Sequence, residues 1–457
     1  MLRKLGAYAA EVAAGTLPDE IQHAAKQRAV DWFATTVPGS VVAPATLLRD
    51  ALEEDPGRGG ARLIPDGVLA TTRTAAYINA AASHTVEFDD IYGPGVYHPG
   101  VSVISAALAI AEDRHVSGEV FLKAIVAGYE ISDRIAAALQ PDHYRYFHTT
   151  GTIGTFGSAA AVSVILGLDG TQTAHALANS ATFAAGLKRA FLADSMSKPL
   201  HAAHAAEAGL TAALGASKGV TGTLEVLDAP GGFGEAMGVG PDWEAAFTDL
   251  GKAYTITRVT IKNHGCCGHT FAAVDAALDI QRQHNLATED IVRISAGSYS
   301  NAVDVTGDMD PQTEYEGKFS LAYCLSTALV HGSVRMDAFT PERLSDPETR
   351  RLISTLDLYK DKQADEEFPN QRGAIVEIET KDGQVLSHRR RARKGDPDDP
   401  LSDQDLEAKY RELVAPVMGD APTEVLLKSL WSLETLADMA ELPMVASFTP
   451  TSKASSG

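Results

Sequence analysis

Six segments between residues 71 and 219 are Ala-rich and helical in period, several of them apolar around most of their circumference. They fall at 71–83, 101–112, 117–139, 158–166, 171–187 and 202–219. A helix that is apolar nearly all round cannot lie at a surface, so each of those must be enclosed by others. Residues 1–254 therefore read as a large helical body. Around Ala253 the texture changes. Tyr254 to Ile261 alternates as a strand, and 291–298 reads as a second. Segments 374–380 and 384–388, joined through Lys381-Asp382-Gly383, read as a hairpin with an Asp-Gly turn. The helical pattern returns from Leu401 through Leu436, after Pro397 and Pro400 in an acidic linker. The expectation is a mainly α chain with an inserted α+β domain. The helical domain spans 1–254 and 398–447, the insert 255–397, and a flexible tail 448–457. No internal repeat is visible.

Composition narrows the class. A chain of 457 residues is long enough for two to three cores. No apolar run approaches the ~20 residues of a membrane span. The stretch from Leu5 to Ala14 is too short, and too interrupted by Glu11, for a signal peptide. With 3 Cys, two of them adjacent (Cys266, Cys267), there is no disulfide framework, and the cytoplasm is the expected compartment. Asp and Glu number 60 against 39 Lys and Arg, a net charge of −21 that argues against nucleic acid as a partner. The one basic run, His388 to Lys394, reads as the solvated end of a strand. So acidic a protein would repel an anionic substrate, and any anion site has to be built locally.

Three segments have the makings of such a site. The first, Ser83 to Pro99, sets Glu87, Asp89 and Asp90 with His84 and His98 between two apolar helices. Charged groups beside a core are expensive unless paired or working. Gly and Pro from Gly93 to Gly100 forbid a continuous helix and leave His98 on an irregular loop. In the second segment His148 stands at the mouth of Thr149-Thr150-Gly151-Thr152, a helix start where free N–H groups favour an anion. The third is Asp194-Ser195-Met196-Ser197-Lys198-Pro199-Leu200-His201. Pro199 fits a first helical turn and puts Lys198 just outside it. Two histidines and a lysine at three helix mouths look like one anion site.

Other chemistries find less support. His264, Cys266, Cys267 and His269 are zinc-ligand types, but their spacing matches no zinc motif, and no metal is expected. There is no Gly-x-Ser-x-Gly elbow, and Gly231-Gly232-Phe233-Gly234 lacks the lysine of a phosphate loop. Acid–base chemistry remains. Removing a proton alpha to a carboxylate needs a placed cation for the charge that builds on its oxygens, and an imidazole as base or acid. Lys198 and Lys262 can hold carboxylates, and Tyr323 can donate a proton.

At these residues the chain resembles the MmgE/PrpD family. The matching pieces are Glu87-Phe88-Asp89-Asp90 with His98-Pro99, then Phe147-His148-Thr149-Thr150-Gly151 and Ser197-Lys198-Pro199-Leu200-His201. Leu227 through Gly234, Ile261-Lys262 through Cys266-Cys267, and Lys318-Phe319-Ser320-Leu321-Ala322-Tyr323 follow in family order. The resemblance implies a large all-helical domain with a smaller lid domain, a homodimer, and cofactor-independent chemistry on small di- or tricarboxylates. It carries catalytic roles to His98, His148, Lys198, Tyr323 and Glu87. Substrate contacts are expected at Asp90, Lys262, His269 and His201. Glu87 stands where the family has Asp, and Cys267 where animal cis-aconitate decarboxylases carry His, with His269 two residues on. The expected activity is a lyase of the dehydratase type, like 2-methylcitrate dehydratase. The alternative is an epimerase of a dicarboxylate such as iminodisuccinate. Behind these stand a cis-aconitate-type decarboxylase and a non-catalytic scaffold.

Overall fold

The computed structural model describes residues 1–52, 58–191, 195–368 and 371–444; Asp194 and the expected tail at 448–457 lie outside the described residues. The chain forms two compact units, one of Met1–Thr260 with the chain from Ser402 onward, the other Ile261–Leu401. No described helix is long and apolar enough to cross a membrane.

The first unit is mainly helical rather than all-helical, because Ala61–Arg62 and Leu69–Ala70 pair as a short antiparallel ladder. Its principal helices are α1 (Leu2–Ala14), α2 (Asp19–Gly39), α3 (Thr72–Ser83), α4 (Pro99–Asp113), α5 (Gly118–Ala138), α6 (Thr149–Ile165), α7 (Gly170–Phe183) and α8 (Ser197–Ser217). Every residue of α6 is buried. Its first half is Thr and Gly, poor helix formers in isolation, so packing rather than propensity makes it helical. It therefore starts well ahead of the apolar run that announced it. Neighbours approach it through small residues. A methyl at Gly209 of α8 would stand 2.4 Å from the Thr155 carbonyl oxygen, and one at Gly154 would stand 2.6 Å from Ser102 Oγ of α4.

The second unit is built on a four-stranded sheet of β1 (Ile291–Ser298), β2 (Leu356–Lys360), β3 (Ala374–Thr380) and β4 (Val385–Arg390), in the order β2-β1-β3-β4. β1 pairs β2 in parallel and β3 antiparallel, so Ile294 faces Leu356 on one side and Ile378 on the other. β3 and β4 form the expected hairpin, with Gly383 at φ 82° in the turn. Helices α9 (Phe271–His284) and α10 (Leu321–His331) contribute Phe271, Val274, Ile280 and Leu325 to the core over Ile294, Val376 and Ile378. The chain then re-enters the first unit through α11 (Asp403–Met418) and α12 (Asp420–Trp431).

Three local expectations are corrected. Tyr254 to Ile261 is not a strand: Thr255–Arg258 is a 3₁₀ turn, with an isolated bridge between Thr260 and Ile91. The Glu130 carboxylate takes both the N–H and the hydroxyl of Thr255, and that pulls the segment out of any ladder. The basic run is not a solvated strand end. Arg389 pairs with Asp361 at 2.8 Å, Arg390 with Asp279 at 2.6 Å, and the buried Arg393 with Asp396 at 2.6 Å. Lys198 lies inside the first turn of α8, because Pro199, lacking an N–H, is tolerated there as the third residue.

Two stability predictions follow from this packing. Gly209→Ala overpacks a backbone contact and is expected to cost about 1–3 kcal/mol, read as a lower urea midpoint. On α5, burial pushes the Asp133 carboxyl well above the usual range; the Thr255 hydroxyl opposes this, and the Glu130 and Asp90 carboxylates add to it. A raised folded pKa gives stability that is complete below the ordinary Asp range and is lost as pH rises toward the folded value. Asp133→Asn removes that loss, so its stability relative to wild type should rise as pH increases from the ordinary Asp range toward neutrality. A gap constant across that range would contradict the assignment.

Candidate active site

Three helix starts in the first unit carry the site. His98 is the N-cap of α4, with Pro99 at the position whose N–H needs no partner. His148 is the N-cap of α6. Lys198 lies in the first turn of α8. The starts are tied together: the His98 N–H donates to Thr150 Oγ1 of α6 at 3.3 Å, and the His148 N–H to the Gly186 carbonyl at 2.9 Å. His98 thus ends its loop as a helix cap.

The loop before His98 is pinned at several points. Asp90 accepts from the Gly100 N–H at 3.0 Å and from the Tyr129 hydroxyl at 2.7 Å, serving the start of α4. Burial pushes its carboxyl up to about 6. Asp90 was expected to bind substrate, and the structure places it 4 % exposed, occupied by these donors. Lys409 of α11, fully buried, donates to Asp31 of α2 at 2.5 Å and to the Phe88 carbonyl at 3.0 Å. The backbone between Glu87 and Asp89 is thereby held by the returning chain. Glu87 adopts a φ of 62°, unusual for a residue with a side chain, and its carboxylate pairs with the Lys198 ammonium. A cation is disfavoured at the positive end of a helix, and Glu87 offsets that cost.

Between these anchors lies a row of imidazoles. Asp89, buried, accepts from His84 Nδ1 at 2.9 Å. His98 Nδ1 stands 2.7 Å from the same oxygen, off the direction of an aligned hydrogen bond. The His84 and His98 rings meet edge-on at 5.0 Å, and His84 stacks on His148 at 5.5 Å with 12° between planes. His148 Nδ1 lies 3.0 Å from His201 Nδ1, so one of the two rings must present an N–H and the other a lone pair. Burial brings His84 down to about 4, against the pull of Asp89, with the Lys198 ammonium adding to the shift. Burial, then His84 and Lys198, holds His148 well below the ordinary imidazole value; burial, then His204 and Lys198, lowers His201. Each of these shifts disfavours the imidazolium.

The structure therefore brings Glu87, His98, His148, Lys198 and His201 together, and adds His84 and Asp89, which the sequence reading left unassigned. Both lie in the segment that drew attention first, but nothing in their order shows which of three carboxylates turns toward an imidazole. His84, Asp89 and His98 also bring three ligand-type atoms within 4.8 Å of one another. The bond to His84 and the contact to His98 account for that closeness.

Tyr323, Lys262 and His269 belong to the second unit. Tyr323 is buried, donates to the Ala338 carbonyl, and is pushed up to about 12 by burial. His269 Nδ1 lies 2.5 Å from the Tyr299 hydroxyl, and burial with the nearby Arg372 and Arg393 brings it down to about 3. Lys262 is buried. His264 bonds Asp275 at 2.9 Å and Cys266 lies 3.1 Å from the Thr270 hydroxyl.

The MmgE/PrpD N-terminal domain matches residues 3–246 and the MmgE/PrpD C-terminal domain residues 264–435. A cis-aconitate decarboxylase-like protein of Aspergillus oryzae is 28% identical over 95% of this chain and 95% of its own. Cis-aconitate decarboxylase of Homo sapiens is 29% identical over 80% of this chain and 78% of its own. The mitochondrial 2-methylcitrate dehydratase of Yarrowia lipolytica is 27% identical over 52% of this chain and 50% of its own.

The buried Lys409–Asp31 pair makes a direct test of how the loop is held. Lys409→Met leaves Asp31 buried without its cation and should cost about 3–5 kcal/mol in urea unfolding. A loss below about 1 kcal/mol, the worth of an exposed pair, would show that the loop does not depend on it.

Proposed function

The chain belongs to the MmgE/PrpD family, and on that premise we propose that it is a lyase of small di- or tricarboxylates, of the 2-methylcitrate dehydratase type. His98, backed by Asp89, removes the proton alpha to a substrate carboxylate. The electron pair moves onto that carboxylate, where the Lys198 ammonium stabilises the developing dianion. It then returns to form the carbon–carbon double bond as the beta carbon–oxygen bond breaks. The hydroxyl leaves as water with a proton delivered from His148, which enters the step as the imidazolium and ends it as the neutral ring that its burial favours; the proton taken by His98 restores it before the next turnover. No cofactor is required by these steps. The observation that carries the reading is the 2.7 Å approach of His98 Nδ1 to a buried carboxylate. It shares a unit with the Lys198–Glu87 pair and with His148, whose burial disfavours its protonated form.

A decarboxylase is the second reading, favoured by the similarity to a cis-aconitate decarboxylase-like protein along nearly the whole chain. There the carbon–carbon bond to a carboxylate breaks, and the resulting carbanion is protonated by one of the same imidazoles. An epimerase would use His98 and His148 on opposite faces of one intermediate. From the family we take the protein to be a homodimer, and from its 3 Cys without a disulfide framework, its acidity and its lack of long apolar runs to act in the cytoplasm without nucleic acid or membrane.

Proton NMR in deuterated water, on chelator-treated protein with a panel of small polycarboxylates, separates these outcomes. A new alkene signal from a hydroxy acid means dehydration. Loss of carbon dioxide from cis-aconitate means decarboxylation, and alpha-deuterium exchange without either means epimerisation. Silence across the panel would overturn the reading. In the active assay Lys198→Ala should lower kcat about 10²–10³-fold with little change in melting temperature.

A further inference from the structure

Asp89 serves two imidazoles, and the reaction above uses one of them. We propose that His84 is a positioning residue that sets the basicity of His98 through their shared Asp89 carboxylate. This rests on the lyase reading only in taking His98 as the base.

His84 caps the end of α3 and has no exposed surface. Its backbone N–H is used by the Ala81 and Ala82 carbonyls, and its ring is stacked on His148, so neither chain nor ring is at liberty to turn. To bond a carboxylate through Nδ1, a neutral imidazole must carry its proton there. Among the described residues its Nε2 has no hydrogen-bond partner, so no second group there competes for that tautomer. His84 is thus a fixed, uncharged donor to the oxygen that His98 approaches at 2.7 Å.

A carboxylate that already accepts a hydrogen bond holds its charge less strongly toward the next donor. With His84 in place, part of the Asp89 charge is engaged by that donor, and the rest orients His98. Without that donor, the whole charge of Asp89 falls on His98 and the imidazolium is favoured. The other charged or titratable groups around the pair are Lys198 and Glu87, His148 and His201, and Asp90, Asp31, Arg28 and Lys409 on the loop and its supports. All are the same in the variants below.

The test is long-range proton–nitrogen NMR of full-length protein labelled with nitrogen-15 histidine, titrated without substrate, the His98 signals being identified by their loss in His98→Gln. His84→Phe keeps the stacked ring and removes the donor; His84→Asn sets an amide where Nδ1 stood. The Phe variant should raise the His98 pKa by about one unit, tenfold in its protonation equilibrium, and the Asn variant should return it close to wild type. Should the Phe variant not fold, His84→Gln, whose amide stands at the Nε2 position, takes its place in the comparison. An unmoved His98 titration in the donor-less variant, or a shift that Asn does not reverse, overturns the proposal. Because no substrate is present, a silent polycarboxylate panel would count against the lyase reading alone. An active enzyme with an unmoved His98 would count against His84 alone.

Discussion

A helix with no face open to water has to be approached closely from every side, and α6 imposes that condition on the first unit. Its surface of Gly, Ala, Ser and Thr lets backbones come near enough that a methyl at Gly209 would strike the Thr155 carbonyl. Close approach leaves little freedom in how neighbouring helices are placed along α6. The starts of α4 and α6 are locked by the His98–Thr150 bond, and α8 brings His201 against His148. The site is a consequence of where packed helices begin, which is why its residues are caps and first-turn positions rather than members of one motif.

Burial then divides the labour among groups of the same type. His84, His148 and His201 are pushed toward neutrality by loss of water, and the Lys198 ammonium adds to the effect. Asp89 gives His98 a carboxylate at contact distance, and Glu87 offsets Lys198 at the start of α8. Against a net charge of −21, the Lys198 ammonium is paired and partly buried, where charges act on one another more strongly than screened surface charges do. The same burial makes the loop before His98 depend on distant chain, since Lys409 holds its Phe88 carbonyl from beyond the inserted unit.

The second unit follows different rules. Three of its four strands were legible from alternation and from the Asp-Gly turn, both local signals with a direct physical meaning, while Leu356–Lys360 was not read as a strand. Tyr254 to Ile261 alternates just as well, yet Glu130 on α5 takes its backbone N–H, and no strand forms. Alternation says which face of a strand would be buried; it does not say whether a partner strand or a buried carboxylate will meet the backbone first. Tyr323 shows the same limit for a side chain, its hydroxyl engaged by the Ala338 carbonyl within its own unit.

The amino-acid sequence by itself determined the mainly helical character of the first unit, the change of texture into a sheet-bearing insert, and the segments that bear His98, His148 and Lys198. Those follow from periodicity, from Pro and Gly, and from the expense of charge near a core, all of which act over a few residues. The tertiary structure decided which groups meet. That Asp89 rather than Glu87 or Asp90 faces His98, that Asp90 serves a helix start, and that His84 stands behind the pair depend on the path of a loop fixed by α2, α5 and α11. Contacts among groups so far apart in the chain are set by packing, and packing is a property of the whole unit.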